Sequence, residues 1–267
     1  MKRNARPHRP VGLAVFLAFW VGAGQSLSAA AEGNPQANTG DYFEPAVLTG
    51  TVYSKAADSK EVLFTFRRAA NCSGSTVRVL REYVRPDGTV AARERVVYES
   101  GKLASLHLEE PQSGAHGSAL VQHDPKNSKQ QRIVFDYTED HNAKTGNERF
   151  EPDTLVNDMI GPFIVAHWGA LMSGAAVKFR YAAVTRAETV GFKFTKRSES
   201  TWRGQPVVII GMEPTSWIIA RLVEPLVFTV EKEGRHRILQ YVGRTTPRMR
   251  KGNSWADLDA VTVFDWK

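Results

Sequence analysis

Seven histidines are scattered through the 267 residues, and three of them, His107, His116 and His123, fall within 17 positions, with Asp124 beside the last. Three imidazoles and a carboxylate are a set that tetrahedral zinc accepts. His116 and His123 lie in a stretch rich in Gly, Ser and Lys, where no regular element is expected to hold them in a fixed array, so no metal site is expected. His167 stands in an apolar stretch and reads as a satisfied core residue rather than a base. Two carboxylate pairs, Glu109 with Glu110 and Glu139 with Asp140, occur at expected strand ends. Neighbours on a strand point to opposite faces, so neither pair makes an acid/base couple, and solvated turn charges are the expectation. Glu213 and Glu224, each followed by proline, read as boundary charges of a short helix. Cys72 is the only cysteine. No disulfide can form within the chain, and with no histidine beside it the thiol is expected to be buried or inert. Gly-x-Ser-x-Gly, His-Glu-x-x-His, a Gly-rich phosphate loop and a Cys pair are all missing. No catalytic residue, metal or cofactor is assigned.

The elements that would position any site begin with a targeting pattern. Lys2, Arg3, Arg6 and Arg9 precede an apolar run from Val11 to about Gly24, and Ala29, Ala30 and Ala31 follow. This is the pattern of a cleaved signal peptide, cut near Ala30 or Ala31, with no cysteine there for a lipid anchor. A periplasmic or secreted location follows as an expectation. Residues 1–31 are then the signal peptide, 32–44 a flexible leader and 45–267 a single β-rich domain. The formal charge is +7, but the four basic residues of the signal segment account for part of it and leave about +3. Nucleic acid is therefore not an expected partner. The densest basic group, Arg244, Arg248, Arg250 and Lys251, contains Pro247 and Gly252 and reads as a solvated loop.

From Val47 onward, short runs of β-branched and aromatic residues recur between turn residues, the spacing of an antiparallel meander. Val62, Phe64 and Phe66 alternate with Leu63, Thr65 and Arg67. Val77 and Val79 share one face, while Arg78, Leu80 and Glu82 take the other. Hairpins are expected at Pro86-Asp87-Gly88, at Ser100-Gly101 and near Glu233-Gly234. Residues 111–131 read as a long loop broken by one short strand, residues 141–149 as another loop, and the whole as roughly a dozen strands.

One stretch departs from this pattern. The 19 residues between Asp158 and Lys178 carry no Asp, Glu, Lys or Arg, close to the roughly 20 needed to cross a bilayer. Leu155, Val156, Met159, Ile160, Phe163, Ile164, His167, Trp168, Leu171 and Met172 form a stripe at helical spacing instead. Asp153 is the expected cap and Gly161-Pro162 the expected break, giving two short helices or one kinked helix packed on the sheet. The opposite side carries Ala166, Ala170 and Ser173. A second short helix is expected over residues 214–224. The fold class is mostly β: a curved antiparallel sheet, an unclosed barrel or half-barrel meander, with short helices inserted around residues 153–173 and 214–224. No transmembrane span is expected in the mature chain.

The segments MIGPFIVAHWGALMSGAAVKFRY, ETVGFKFTKR, GQPVVIIGME and PLVFTVEKEGRHRILQYVGR give a helix, a Leu-x-x-Gly turn at Leu171 to Gly174, and strands ending in aromatic-Val-Gly. With the signal peptide and the meander, this pattern resembles the periplasmic lipoprotein-carrier superfamily (LolA/LolB-like) and related exported β-domains of unknown function. The likeness covers about residues 159–244. It implies an unclosed barrel with helices in its mouth around an apolar cavity, and lipid or lipoprotein binding. No ligand residue of that group matches by position, and the extra N-terminal hairpins depart from its smaller members. The expected function is an exported cell-envelope protein that holds a lipid or lipoprotein acyl chain without catalysis. Phe163, His167, Trp168, Trp217 and Ile218 are expected near the ligand. A structural envelope protein that binds peptidoglycan or a protein partner is the alternative, and a hydrolase comes third.

Overall fold

Along most strands from Val47 onward every second residue is buried, and that alternation gives one sheet a buried and an exposed face. The computed structural model describes residues 47–56, 60–216 and 224–266, all within the compact unit Asn34–Lys267. The expected signal peptide and leader, and the core of the expected second helix with Trp217 and Ile218, lie outside the described residues.

The strands are β1 (Val47–Ser54), β2 (Val62–Ser73), β3 (Thr76–Val84), β4 (Val90–Glu99), β5 (Lys102–Glu110), β6 (Ala115–Asp124), β7 (Asn127–Glu139), β8 (Asn142–Arg149) and the two-residue β9 (Thr154–Leu155). Helices α1 (Ile160–Ala166) and α2 (Trp168–Met172) follow. Then come β10 (Val177–Ala183), β11 (Glu188–Trp202), β12 (Gln205–Pro214), β13 (Leu226–Glu231), β14 (Ile238–Arg244), β15 (Met249–Lys251), β16 (Ser254–Ala256) and β17 (Asp259–Asp265). Fifteen of these strands form one sheet in the order β8-β7-β6-β5-β4-β3-β2-β1-β17-β14-β13-β12-β11-β10-β9. All pairs are antiparallel except β9 with β10. The first and last strands pair in the middle, so the chain runs outward along one wing and returns along the other.

The sheet curls into an unclosed barrel. Side chains of β3 to β7 share a buried cluster with Ala182, Val184 and Ala187 from the far wing, which makes the buried face the inner one. The wings approach without joining by a ladder: the Thr189 amide donates to the Glu148 carboxylate at 3.1 Å. A Cβ at Gly146 would lie 1.8 Å from the Ala187 carbonyl oxygen, so only glycine permits this approach.

The mostly-β, unclosed-barrel expectation matches the structure, with several corrections. Residues 111–131 are not a long loop: β6 and β7 form a paired hairpin there, and residues 141–149 are β8. Most residues of β8 and the first part of β7 are exposed on both faces, so backbone pairing holds them without an apolar alternation. There are 17 strands among the described residues, not a dozen. Cys72 is exposed near the end of β2. His107 and His116 lie on paired strands, and no group of His, Cys, Asp or Glu among the described residues could hold a metal ion. Among the described residues, no helix is long and apolar enough to cross a membrane.

Candidate functional site: a helical cover rooted in buried charge

Buried charges interrupt the apolar alternation of four successive strands. Arg68 follows Phe64 and Phe66 on β2, Arg81 lies between Val79 and Tyr83 on β3, Glu94 between Ala92 and Val96 on β4, and Glu110 follows Leu106 and Leu108 at the end of β5. In the ladder Arg68 stands opposite Arg81, and Arg81 opposite Glu94. Two guanidiniums facing each other across one strand pair repel unless both are neutralised. Glu94 pairs with Arg81. The second carboxylate comes from outside the sheet: the 3-10 turn Asn157–Met159 brings in Asp158, only 8% exposed. Arg68 Nε donates to Asp158 Oδ1 at 2.6 Å and Nη2 to Oδ2 at 3.1 Å, and the Tyr98 hydroxyl adds a third bond at 3.1 Å.

Asn157 extends this root. Its Nδ2 donates to Glu94 Oε1 at 2.7 Å, its Oδ1 accepts from the Tyr181 hydroxyl at 2.7 Å, and Thr246 Oγ1 also donates to Glu94 at 2.7 Å. Burial would lower the basicity of Arg81, but Glu94 and its neighbours more than offset this and hold the guanidinium protonated. Burial, with Glu94 adding to it, pushes the Tyr181 phenol well up, so it remains a neutral donor. The charges balance as two against two, and every member has a partner, as a buried polar network requires.

A second cluster sits where segment 245–248 crosses the ends of β5 and β7. Arg248 Nε meets Glu110 at 3.1 Å, its Nη1 pairs with Glu139, and its Nη2 donates to Ser113 Oγ at 3.1 Å. Burial raises Glu110 above the ordinary carboxylate range despite Arg248. Burial acts the same way on Glu139, but the Arg248 hydrogen bond and charge outweigh it and hold the group low. Glu110 is 1% exposed, and its Oε1 has no hydrogen-bond partner among the described residues. The expectation that these carboxylates are solvated turn charges therefore fails for Glu110 and Glu139. Both grip one guanidinium instead of facing each other across a reacting bond. The basic group is corrected likewise: Arg248 is buried, Arg244 pairs with Asp257 and Asp259, and only Arg250 and Lys251 are solvated.

Beyond the root the chain becomes apolar. Asp153 caps nothing: Thr154 and Leu155 pair with β10, and neither helix start has a side-chain cap. Gly161-Pro162 does not break the helix either. Pro162 sits in the first turn of α1, where amides have no helical partner to lose. The break falls at His167, at φ −107° and ψ 17°. Its ring N–H turns back to the Phe163 carbonyl, with Nδ1 at 2.9 Å, and its ring packs on Phe163 at 4.1 Å. Gly174, at φ +87°, ends α2, with its amide bonded to Leu171 and that of Ala175 to Ala170. These are the two bonds of a Schellman cap, and the left-handed residue explains the glycine of the Leu-x-x-Gly turn.

Ile160, Phe163, Ile164 and Leu171 are buried on the inner face of the far wing. Beneath them runs an aromatic floor. Phe163 lies 5.4 Å from Phe179 and 6.2 Å from Phe194, Phe194 lies 5.7 Å from Phe228, and Phe228 lies 4.9 Å from Tyr241. Trp168 is half-buried and stacks on His236 at 3.9 Å and 16°. The outer side of the helices, Val165, Ala166, Gly169 and Ala170, is exposed and uncharged. The structure thus brings Phe163, His167 and Trp168 together on one cover. The root of that cover, Asn157 and Asp158 with Arg68, Arg81 and Glu94, was missed by sequence reasoning. A separate shallow groove of about 430 Å³ lies on the outer face of β2 to β4, with Ala69, Leu80 and Val97 as its floor and Arg78 and Arg95 at its rim.

No protein-family profile matches the chain, and no curated protein matches it. Among solved structures the chain is similar to a beta-barrel-like protein of a domain of unknown function, DUF1849, from Brucella abortus. Identity is 8%, the match covers 83% of this chain and 97% of that one, and the TM-score is 0.39.

Proposed function

We propose that this chain is an exported, non-enzymatic β-domain that holds an apolar ligand, a lipid or lipoprotein acyl chain, between the cover α1–α2 and the aromatic floor. Phe163, His167 and Trp168 are the side chains of the cover that such a chain would displace or touch. One observation carries the reading: the ion pairs and side-chain hydrogen bonds that fix the cover to the sheet gather at its root, Asn157 and Asp158, while the helices rest on the floor through apolar side chains. Displacing the helices therefore breaks no ion pair. Burial of Ile160, Phe163, Ile164 and Leu171 contributes about 2 kcal/mol each, or roughly 8 kcal/mol together. An acyl chain that buries about ten methylenes at ~0.8 kcal/mol apiece offers the same amount, so exchange of cover for ligand is nearly balanced. Export rests on the N-terminal basic, apolar and Ala-Ala-Ala pattern.

The test compares native and denaturing mass spectra of the protein purified from the envelope fraction of its host. A mass excess lost on denaturation and matching a fatty acid or phospholipid supports the reading. A bare chain at its calculated mass rejects it and turns attention to a macromolecular partner.

A further inference from the structure

Strands β15 and β16 belong to no part of the main sheet; they form a two-stranded sheet of their own between β14 and β17. An isolated hairpin is marginal in water, and this one is held at its base. The Arg248 carbonyl accepts from Gln112 Nε2 at 2.7 Å, the Arg248 side chain is locked by Glu110 and Glu139, and the Thr245 amide bonds to Leu258 at 2.8 Å. The turn begins at Gly252, at φ +62°.

The hairpin presents Met249 (36% exposed), Arg250 and Lys251, with Trp255 half-buried opposite Arg250. The carboxylates around its base are already committed, Asp257 and Asp259 to Arg244, and Glu110 and Glu139 to Arg248. Arg250 donates to the Gly252 carbonyl at 3.3 Å, and among the described residues neither it nor Lys251 has a carboxylate partner. Lys251 lies nearest the turn, Arg250 and Trp255 come one pair behind it on one face, and Met249 lies a pair nearer the base on the other face. A tip approaching a bilayer sets both cations against anionic headgroups with the aromatic at interfacial depth beside them. A soluble polyanion would use the charges and leave Trp255, beside Arg250, without a role.

We propose that the β15–β16 hairpin docks this protein on an anionic phospholipid surface. The inference goes beyond the acyl-ligand reading and does not require it, since a protein can dock on a bilayer without taking up a lipid.

Purified protein is sedimented with vesicles of phosphatidylcholine, with and without phosphatidylglycerol. The expected result is partitioning onto the anionic vesicles that salt weakens, with a blue shift of tryptophan emission that Trp255→Phe diminishes. Each cation near such a surface is worth about fivefold in partitioning, so R250Q with K251Q lowers it roughly thirtyfold at an unchanged unfolding midpoint. Met249→Asp, which leaves both cations in place, also lowers it. Equal partitioning onto neutral vesicles, no partitioning at all, or indifference to R250Q/K251Q overturns the proposal, and so does tighter binding to soluble polyglutamate than to the vesicles. Vesicle docking with no lipid in the native mass spectrum supports the hairpin and rejects the acyl-ligand reading. A bound lipid without vesicle docking does the reverse.

Discussion

The two wings of the barrel bury their inner faces by different physics. On the wing of β2 to β5 the inner face carries Arg68, Arg81, Glu94 and Glu110: Arg81 and Glu94 pair across neighbouring strands, while Arg68 and Glu110 are matched to Asp158 and Arg248, far away in sequence. On the wing of β10 to β14 it is built from Phe179, Phe192, Phe194, Phe228 and Tyr241 under the helical cover. A buried ion pair tolerates the loss of neither member, because the one left behind is an unpaired charge. An apolar contact is indifferent to the identity of its partner. The charged wing therefore fixes where the segment after β9 enters the barrel, while the aromatic wing leaves open what finally lies upon it.

Asp158 offers the sharpest way to break this comparison. Asp158→Ala leaves Arg68 and Arg81 facing each other with Glu94 alone, and is expected to lower stability by about 3–5 kcal/mol in urea titrations. Arg68→Met combined with Asp158→Leu is expected to recover most of that loss, since apolar replacement of a whole buried pair is often neutral. A double variant as unstable as the sum of its parts would show that the pair is not an isolated lock.

On the aromatic wing the corresponding loss depends on volume alone. Leu171→Ala is expected to cost about 2–5 kcal/mol, whereas Leu171→Met, which keeps the volume, costs less than about 1.5 kcal/mol. Thermal and urea unfolding of the two variants side by side gives the ratio. Equal losses would mean that the cover is held by shape as strictly as its root is held by charge, and would argue against its exchange for a ligand.

The same contrast explains what was legible in the sequence. Phe64 with Phe66, Val77 with Val79, and the stripe from Ile160 to Leu171 announced their elements, because an apolar period is a local signal. The first members of the expected stripe, Leu155 and Val156, are extended rather than helical. Segments 127–132 and 142–149 announced nothing: their side chains are mostly exposed on both faces, and only the backbone ladder makes them strands. The root of the cover was written in plain view yet in a form that local patterns do not resolve. Arg68 and Arg81 occupy the apolar parity of their strands, which marks them as inward-pointing charges. Their partners, 90 and 13 residues away, become visible only once the sheet is closed. Arg248 was misread for the same reason, since its Glu110 lies 138 positions earlier. The helix break at His167 has no local sequence signal, and Pro162 breaks nothing because it stands in the first turn.

Acid should loosen the barrel through paired carboxylates. Glu231 is held below the ordinary value of 4.5: burial raises it, but hydrogen bonds and charge from Arg237 outweigh that. A folded-state value below the unfolded one means that the folded protein binds fewer protons. The contribution of Glu231 is therefore fully present above 4.5 and is lost as pH falls through the folded value. Glu139 acts in the same direction. Glu110, raised by burial, acts in the opposite one: it is stabilising once protonated, and that gain is lost as pH rises through its folded value. Urea midpoints measured downward from neutral pH are expected to fall below pH 4.5, with a shallower fall in Glu231→Gln. An identical slope in the variant would remove this carboxylate from the account.

The smallest expected change in stability belongs to Trp168→Asp, and it separates a cover from a core most cleanly. Trp168 is half-buried, with one ring face on His236 in the β13–β14 turn. At this depth a carboxylate can turn to water beside the imidazole, so the expected loss is about 1 kcal/mol and circular dichroism should report an intact β fold. Binding of a fatty acid, followed by displacement of a fluorescent acyl probe, should nevertheless fall by tenfold or more, because the entering chain would have to desolvate that carboxylate. If the variant instead unfolds globally, Trp168 is part of the core and the helices are permanent filling. If it folds and binds the probe as before, any acyl chain lies elsewhere, and the outer groove between Arg78 and Arg95 becomes the next surface to mutate. Retained folding with lost binding would leave the difference between the wings as stated: charge sets the root, and the aromatic floor accepts either the helices or a ligand.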